Sequence, residues 1–83
     1  MIPCSCCLEP IAEPVIRTTG GDFRSPFALC RRCWRRVAWP LRRALDSAIR
    51  SFAAGPHLEA SLVLYRTWLA VEGDAVQQRR LAA

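Results

Sequence analysis

Two pairs of cysteines, Cys4-x2-Cys7 and Cys30-x2-Cys33, separated by the 22 residues Leu8–Leu29, constrain this chain more than any other feature. A CxxC pair closes a tight knuckle, and a spacer of this length holds a hairpin that brings two knuckles together. The spacing therefore predicts a single structural Zn2+ held by the thiolates of Cys4, Cys7, Cys30 and Cys33. Two disulfides are the competing use of the same residues. They belong to small secreted domains, whereas Met1-Ile2-Pro3 runs straight into Cys4 with neither a basic nor an apolar leader segment.

An iron site of the rubredoxin kind also uses two CxxC pairs, but its knuckles usually carry Gly after the second Cys, where Leu8 and Trp34 stand here. Cys6 is the odd thiol. It could replace Cys4 only by forming an adjacent Cys6-Cys7 pair, which lacks the two-residue spacer that turns backbone amides toward the sulfurs. It reads as a bystander. His57, the single histidine, opens a helical segment and is not needed as a ligand beside four thiolates.

At 83 residues the chain is read as a single domain, 1–83, of a size at which a core alone is marginal and a metal adds the missing stability. Apolar residues make up 52% of it, which excludes a disordered composition. No apolar run approaches the roughly 18 residues of a membrane span. The expectation is a cytoplasmic protein without membrane contact.

The first 16 residues carry Glu9 and Glu13 and no base, and Pro3, Pro10 and Pro14 exclude helix there, leaving a knuckle and an irregular stretch. Val15-Ile16-Arg17-Thr18, followed by the turn signal Thr19-Gly20-Gly21-Asp22, predicts a short β-hairpin from about Val15 to Arg24. The run Gly20-Gly21-Asp22-Phe23 echoes part of a cyclic-dinucleotide synthase signature, but the fourth acidic residue is missing and the chain is far too short for that domain.

Ser25-Pro26 reads as an N-cap with Pro at the first helical position, placing Cys30 and Cys33 in the opening turns of a helix. Knuckle, hairpin, then a helix carrying the last two ligands is a treble-clef-like order. Pro40 interrupts that helix. A second, from Leu41 to about Ala54, has Leu41, Ala44, Leu45, Ala48, Ile49 and Phe52 on one face.

Gly55-Pro56 ends it, and a third helix runs from about His57 to Glu72. Leu58, Leu62, Tyr65 and Leu69 form its apolar face, widened by Val63, Leu64, Trp68 and Val71. Gly73-Asp74 reads as a stop or kink and residues 73–83 as a polar tail, with a frayed helical turn over Ala75–Ala83 as the alternative. The expected fold is thus a small, mostly α zinc-binding domain. It comprises a zinc module at 1–38 and a helical hairpin at 40–72, joined through Trp34, Val37 and Trp39.

All twelve basic residues are Arg, and the net charge is +5. By thirds the balance is −2 over residues 1–16, +7 over 17–50 and 0 over 51–83. A zinc ion with four thiolates is a −2 centre, so some of this charge compensates the metal. The remainder points to a cationic surface built from Arg31, Arg32, Arg35, Arg36, Arg42, Arg43 and Arg50. Arg36, Arg43 and Arg50 recur every seven residues and would share a face if Pro40 only kinks the helix.

Such a row suits nucleic acid or an acidic protein partner. Leu62, Tyr65, Trp68 and Leu69 are the candidate protein interface, because the third helix is apolar on most sides and so short a chain offers little to cover it; a homodimer is one way to do so. A closed four-thiolate site leaves no position for a reactive water, and neither a Ser/His/Asp order nor a phosphate-cradling Gly loop is present. The expectation is a non-enzyme.

The stretch Leu29-Cys30-Arg31-Arg32-Cys33-Trp34-Arg35-Arg36-Val37, then Pro40-Leu41-Arg42-Arg43 and an amphipathic helix, resembles small phage and prophage zinc-finger proteins. These pair an N-terminal CxxC with a CxxCW-then-Pro-Leu helix. The resemblance covers about residues 4–52; Cys6 and the apolar third helix depart from the pattern. It implies a phage context, a host-cell cytoplasmic location, and a regulator of host machinery or an inhibitor or adaptor that binds a host protein.

Overall fold

The computed structural model describes residues 1–25 and 28–82. Seven elements follow in order: β1 (Ile2–Pro3), β2 (Pro10–Ile11), β3 (Val15–Thr18), β4 (Gly21–Arg24), α1 (Arg31–Arg36), α2 (Trp39–Ala54) and α3 (Leu58–Ala82). The stretch read as irregular after the first knuckle contains β2, which pairs antiparallel with β1. Pro3 and Pro10 face each other in that pair, as the lack of an N–H allows in so short a ribbon. The first CxxC thereby sits at the tip of a hairpin. Leu8, directly after it, takes φ 67°, the left-handed conformation that Gly adopts more readily.

The hairpin expected from about Val15 to Arg24 is present, with Val15 opposite Arg24 and Thr18 opposite Gly21. Gly21 has φ +122°, which a side chain would strain. The hairpin docks on the end of α2. Thr19 N–H donates to the Ala53 carbonyl at 3.2 Å, and Phe23 meets Phe52 edge-on with centroids 5.1 Å apart.

The first helix begins later than expected. Ser25 is not helical, and its N–H bonds the Pro14 carbonyl instead; Pro26 lies outside the described residues. Cys30 is the N-cap of α1, its sulfur accepting the Cys33 N–H. Pro40 does not kink one long helix: α1 closes at Val37 (ψ 137°), Ala38 is also extended (ψ 136°), and α2 starts afresh with Pro40 in its first turn. Arg36 therefore belongs to a different helix from Arg43 and Arg50, and the seven-residue row does not exist as a single face.

Ala38 brings no side chain to cap α2. Asp74, far along the chain, accepts its N–H at 2.8 Å.

The larger departure is in α3. It does not stop at Gly73 but continues to Ala82, so residues 74–82 are helix and not tail. Gly in a helix interior costs about 1 kcal/mol relative to Ala. Three contacts beyond Gly73 counter it: the Asp74 cap on α2, Ala75 buried with no exposure, and Arg79 donating to the Cys6 carbonyl at 2.7 Å.

The buried seam of α3 is Ala60, Leu64, Trp68, Val71 and Ala75, packed against Val37, Leu45, Ala48 and Phe52. The apolar face read from the sequence, Leu58, Leu62, Tyr65 and Leu69, is the outer one and remains exposed, while Leu64, Trp68 and Val71, read as its widening, form the core side. At Ala75 the seam meets the first knuckle, the Cys6 thiol lying 3.6 Å from the Ala75 carbonyl. Ala44, expected in the α2 stripe, is exposed. Of the three joint residues, Val37 is buried and Trp34 half-buried against the core, but Trp39 is exposed beneath the Arg43 guanidinium. Among the described residues no helix is long and apolar enough to cross a membrane.

Removing the residues after Glu72 should therefore destabilise the whole fold, where loss of a tail would change nothing. Asp74→Ala alone should lower stability by about 1 kcal/mol, measured by urea unfolding of the metal-loaded protein.

Candidate metal centre

The two knuckles reach each other through backbone pairing that the spacing does not reveal. Ser5 N–H donates to the Ala28 carbonyl at 2.8 Å, and Ala28 N–H returns to Ser5 Oγ at 3.4 Å. Ser5 thus carries part of the site's assembly, and no motif marks it as more than a spacer. Inside the first knuckle Cys4 N–H bonds the Glu9 carbonyl (2.8 Å) and Leu8 N–H bonds the Cys4 carbonyl (3.0 Å), closing the turn around the sulfurs.

Cys4, Cys7, Cys30 and Cys33 place their Sγ atoms within 4.8 Å of one another. Cys7 and Cys30 sulfurs are 3.6 Å apart. A tetrahedron of thiolates about 2.3 Å from a Zn2+ has edges of about 3.8 Å, so the four sulfurs fit around one ion with small adjustments. They are positioned to bind a metal, and the all-sulfur donor set is consistent with zinc. Cys4 and Cys33 are buried, while Cys7 and Cys30 are half-buried. Cys6 stays outside the quartet, its thiol directed at the Ala75 carbonyl 3.6 Å away.

The electrostatics of the quartet are uneven. Burial pushes the Cys4 thiol up, but the N–H groups of Cys7, Cys30 and Cys6, with the Cys7 thiol, outweigh it and hold the pKa at about 6. Cys30 N–H reaches Cys4 Sγ at 3.3 Å. At Cys7 the Glu9 N–H favours the thiolate, yet desolvation and the sulfurs of Cys4 and Cys30 prevail and raise it. Burial, then the neighbouring sulfurs, drives Cys33 well above the ordinary thiol range. Four thiolates at this spacing need a cation among them; one thiolate does not.

The arginines divide into groups. Arg31, Arg32, Arg35 and Arg36 are exposed on α1. With Glu9 and Cys30 they line an open depression of about 540 Å3 beside the knuckles. Arg42 is half-buried, Arg43 stacks 5.2 Å from the centre of the Trp39 ring, and Arg50 is paired with Asp46 at 3.0 Å. Among the described residues the ion pairs are Arg50–Asp46 and Arg24–Glu13, and neither involves α1.

His57 Nδ1 accepts the Ala60 N–H at 3.2 Å, a capping role at the start of α3. Of the candidate interface, Leu62, Tyr65 and Leu69 are exposed but Trp68 is core. No protein-family model, curated protein or solved structure matches this chain.

Metal analysis should find one ion per chain, and Cys33→Ser should abolish both its retention and cooperative unfolding, read by circular dichroism. Protons compete with the ion for these sulfurs, so affinity falls as pH falls. The fall should steepen below about pH 6, where Cys4 also takes up its proton. A chromophoric chelator titrated against the protein between pH 8 and 5 measures the slope.

Proposed function

We propose that the protein is a zinc-stabilised, non-catalytic module that binds nucleic acid through the arginines of α1. The observation that carries this reading is the placement of Arg31, Arg32, Arg35 and Arg36, exposed and outside any described ion pair, on a six-residue helix anchored at both ligands of the second knuckle. A guanidinium offers planar donors to phosphate oxygens, and a helix whose N-cap is itself a metal ligand presents them in a fixed direction. The order of knuckle, hairpin and ligand-bearing helix supports a treble-clef-like description of residues 1–38.

A filled four-thiolate site carries −2 and offsets part of the nearby charge. Residues 17–50 still hold nine arginines against Asp22 and Asp46, which favours a polyanion over a small anion. A regulatory role in a phage or host cytoplasm rests on the sequence resemblance alone. The same arginines also suit an acidic surface on a host protein, the runner-up reading.

Fluorescence anisotropy with duplex and single-stranded oligonucleotides tests the proposal. Replacing all four α1 arginines by Ala should weaken binding at least tenfold and flatten a salt dependence whose slope approaches about −0.9 per phosphate neutralised. Arg50→Ala, already paired with Asp46, should change little. Absence of binding to either form at low salt, by protein with its metal in place, rejects nucleic acid as the target.

A further inference from the structure

Helix α3 carries two apolar stripes, and the fold uses one. The buried stripe runs through Ala60, Leu64, Trp68, Val71 and Ala75. The other, Leu58, Leu62, Tyr65 and Leu69, is spaced by four, three and four residues and lies roughly 130° further round the helix at 100° per residue. Its members are exposed by 76%, 46%, 50% and 45%. On one flank of this stripe, seven residues apart and so on the same edge, are exposed Glu59 and Arg66. Neither enters an ion pair among the described residues.

We infer that α3 packs against α3 of a second copy, antiparallel, along this outer stripe. Turning a copy end over end about a two-fold axis lays Leu58 on Leu69 and Leu62 on Tyr65, and each contact recurs by symmetry, giving four apolar layers. The same rotation brings like flanks together. Glu59 of each copy then faces Arg66 of the other, two ion pairs of unlike charge from one surface.

A parallel pair lacks this match, because the flank of Glu59 and Arg66 would meet the edge bearing Ser61 and buried Trp68, which offers no counter-charge. The self-complementary order of charge, together with the four-residue apolar seam, selects a second copy as the occupant. The stripe exposes on the order of 400 Å2 per copy, so the pair with its flanks reaches about 1,000 Å2, the lower end for a specific interface. Association is accordingly weak and set by concentration.

Sedimentation equilibrium on the full, metal-loaded chain from about 1 μM to about 1 mM spans the range in which such an interface saturates. The expected result is a rise from monomer to dimer mass. Leu62→Glu, at an exposed position, should leave the circular dichroism spectrum unchanged and the protein monomeric throughout. Glu59→Arg or Arg66→Glu alone should raise the dissociation constant about three- to tenfold, and the double reversal should restore it.

The inference is overturned by a monomer at every concentration, by a dimer indifferent to Leu62→Glu, or by a double reversal as weak as the single ones. A monomer that instead binds phosphatidylcholine–phosphatidylglycerol vesicles in a Leu62-dependent way also overturns it, assigning the stripe to a lipid surface.

Discussion

Four sulfur atoms lie within 4.8 Å of one another, two of them on buried residues, and all four can be thiolates only with a cation among them. The backbone pairing around the two knuckles serves that convergence. The β1–β2 ribbon points the first knuckle, the Ser5–Ala28 pair joins it to the second, and Cys30 and Cys33 form the opening of α1. The direction of α1, and with it the direction of four arginines, is set by buried Cys33 in the sulfur cluster together with Trp34, which packs half-buried against the core.

The helical half is tied to this centre by α3. A chain of this length buries few large side chains, and Leu45 and Val71 are the bulkiest of those fully enclosed. The core is supplemented by polar fastenings from the last two and a half turns of α3: Asp74 caps α2, and Arg79 reaches the Cys6 carbonyl. The same helix therefore supports both the α2 packing and the first knuckle. This explains how it runs through Gly73 without breaking.

Charge follows the same division. Arg24 and Arg50 have acidic partners and Arg43 lies over an indole, so these groups serve local structure. The arginines of α1 face an open depression with Glu9 as its acidic member. An even row along the sequence has become one concentrated patch with outliers, and the cause is the pair of extended residues, Val37 and Ala38, that separates two helices.

The sequence by itself determined the cysteine quartet, the β3–β4 hairpin and the existence of three helices, because cysteine spacing, a Gly-Gly turn and 3.6-residue periodicity are local signals. It did not decide which side of α3 is core, for two apolar stripes on one helix have equal claim until α2 is placed against one of them. Nor could it show that the helix outlasts Gly73, or that Arg36 parts from Arg43 and Arg50. Those outcomes depend on Asp74 meeting Ala38, Ala75 meeting the core and Arg79 meeting Cys6, contacts spanning 36 to 73 positions of chain that exist only once the tertiary structure has formed.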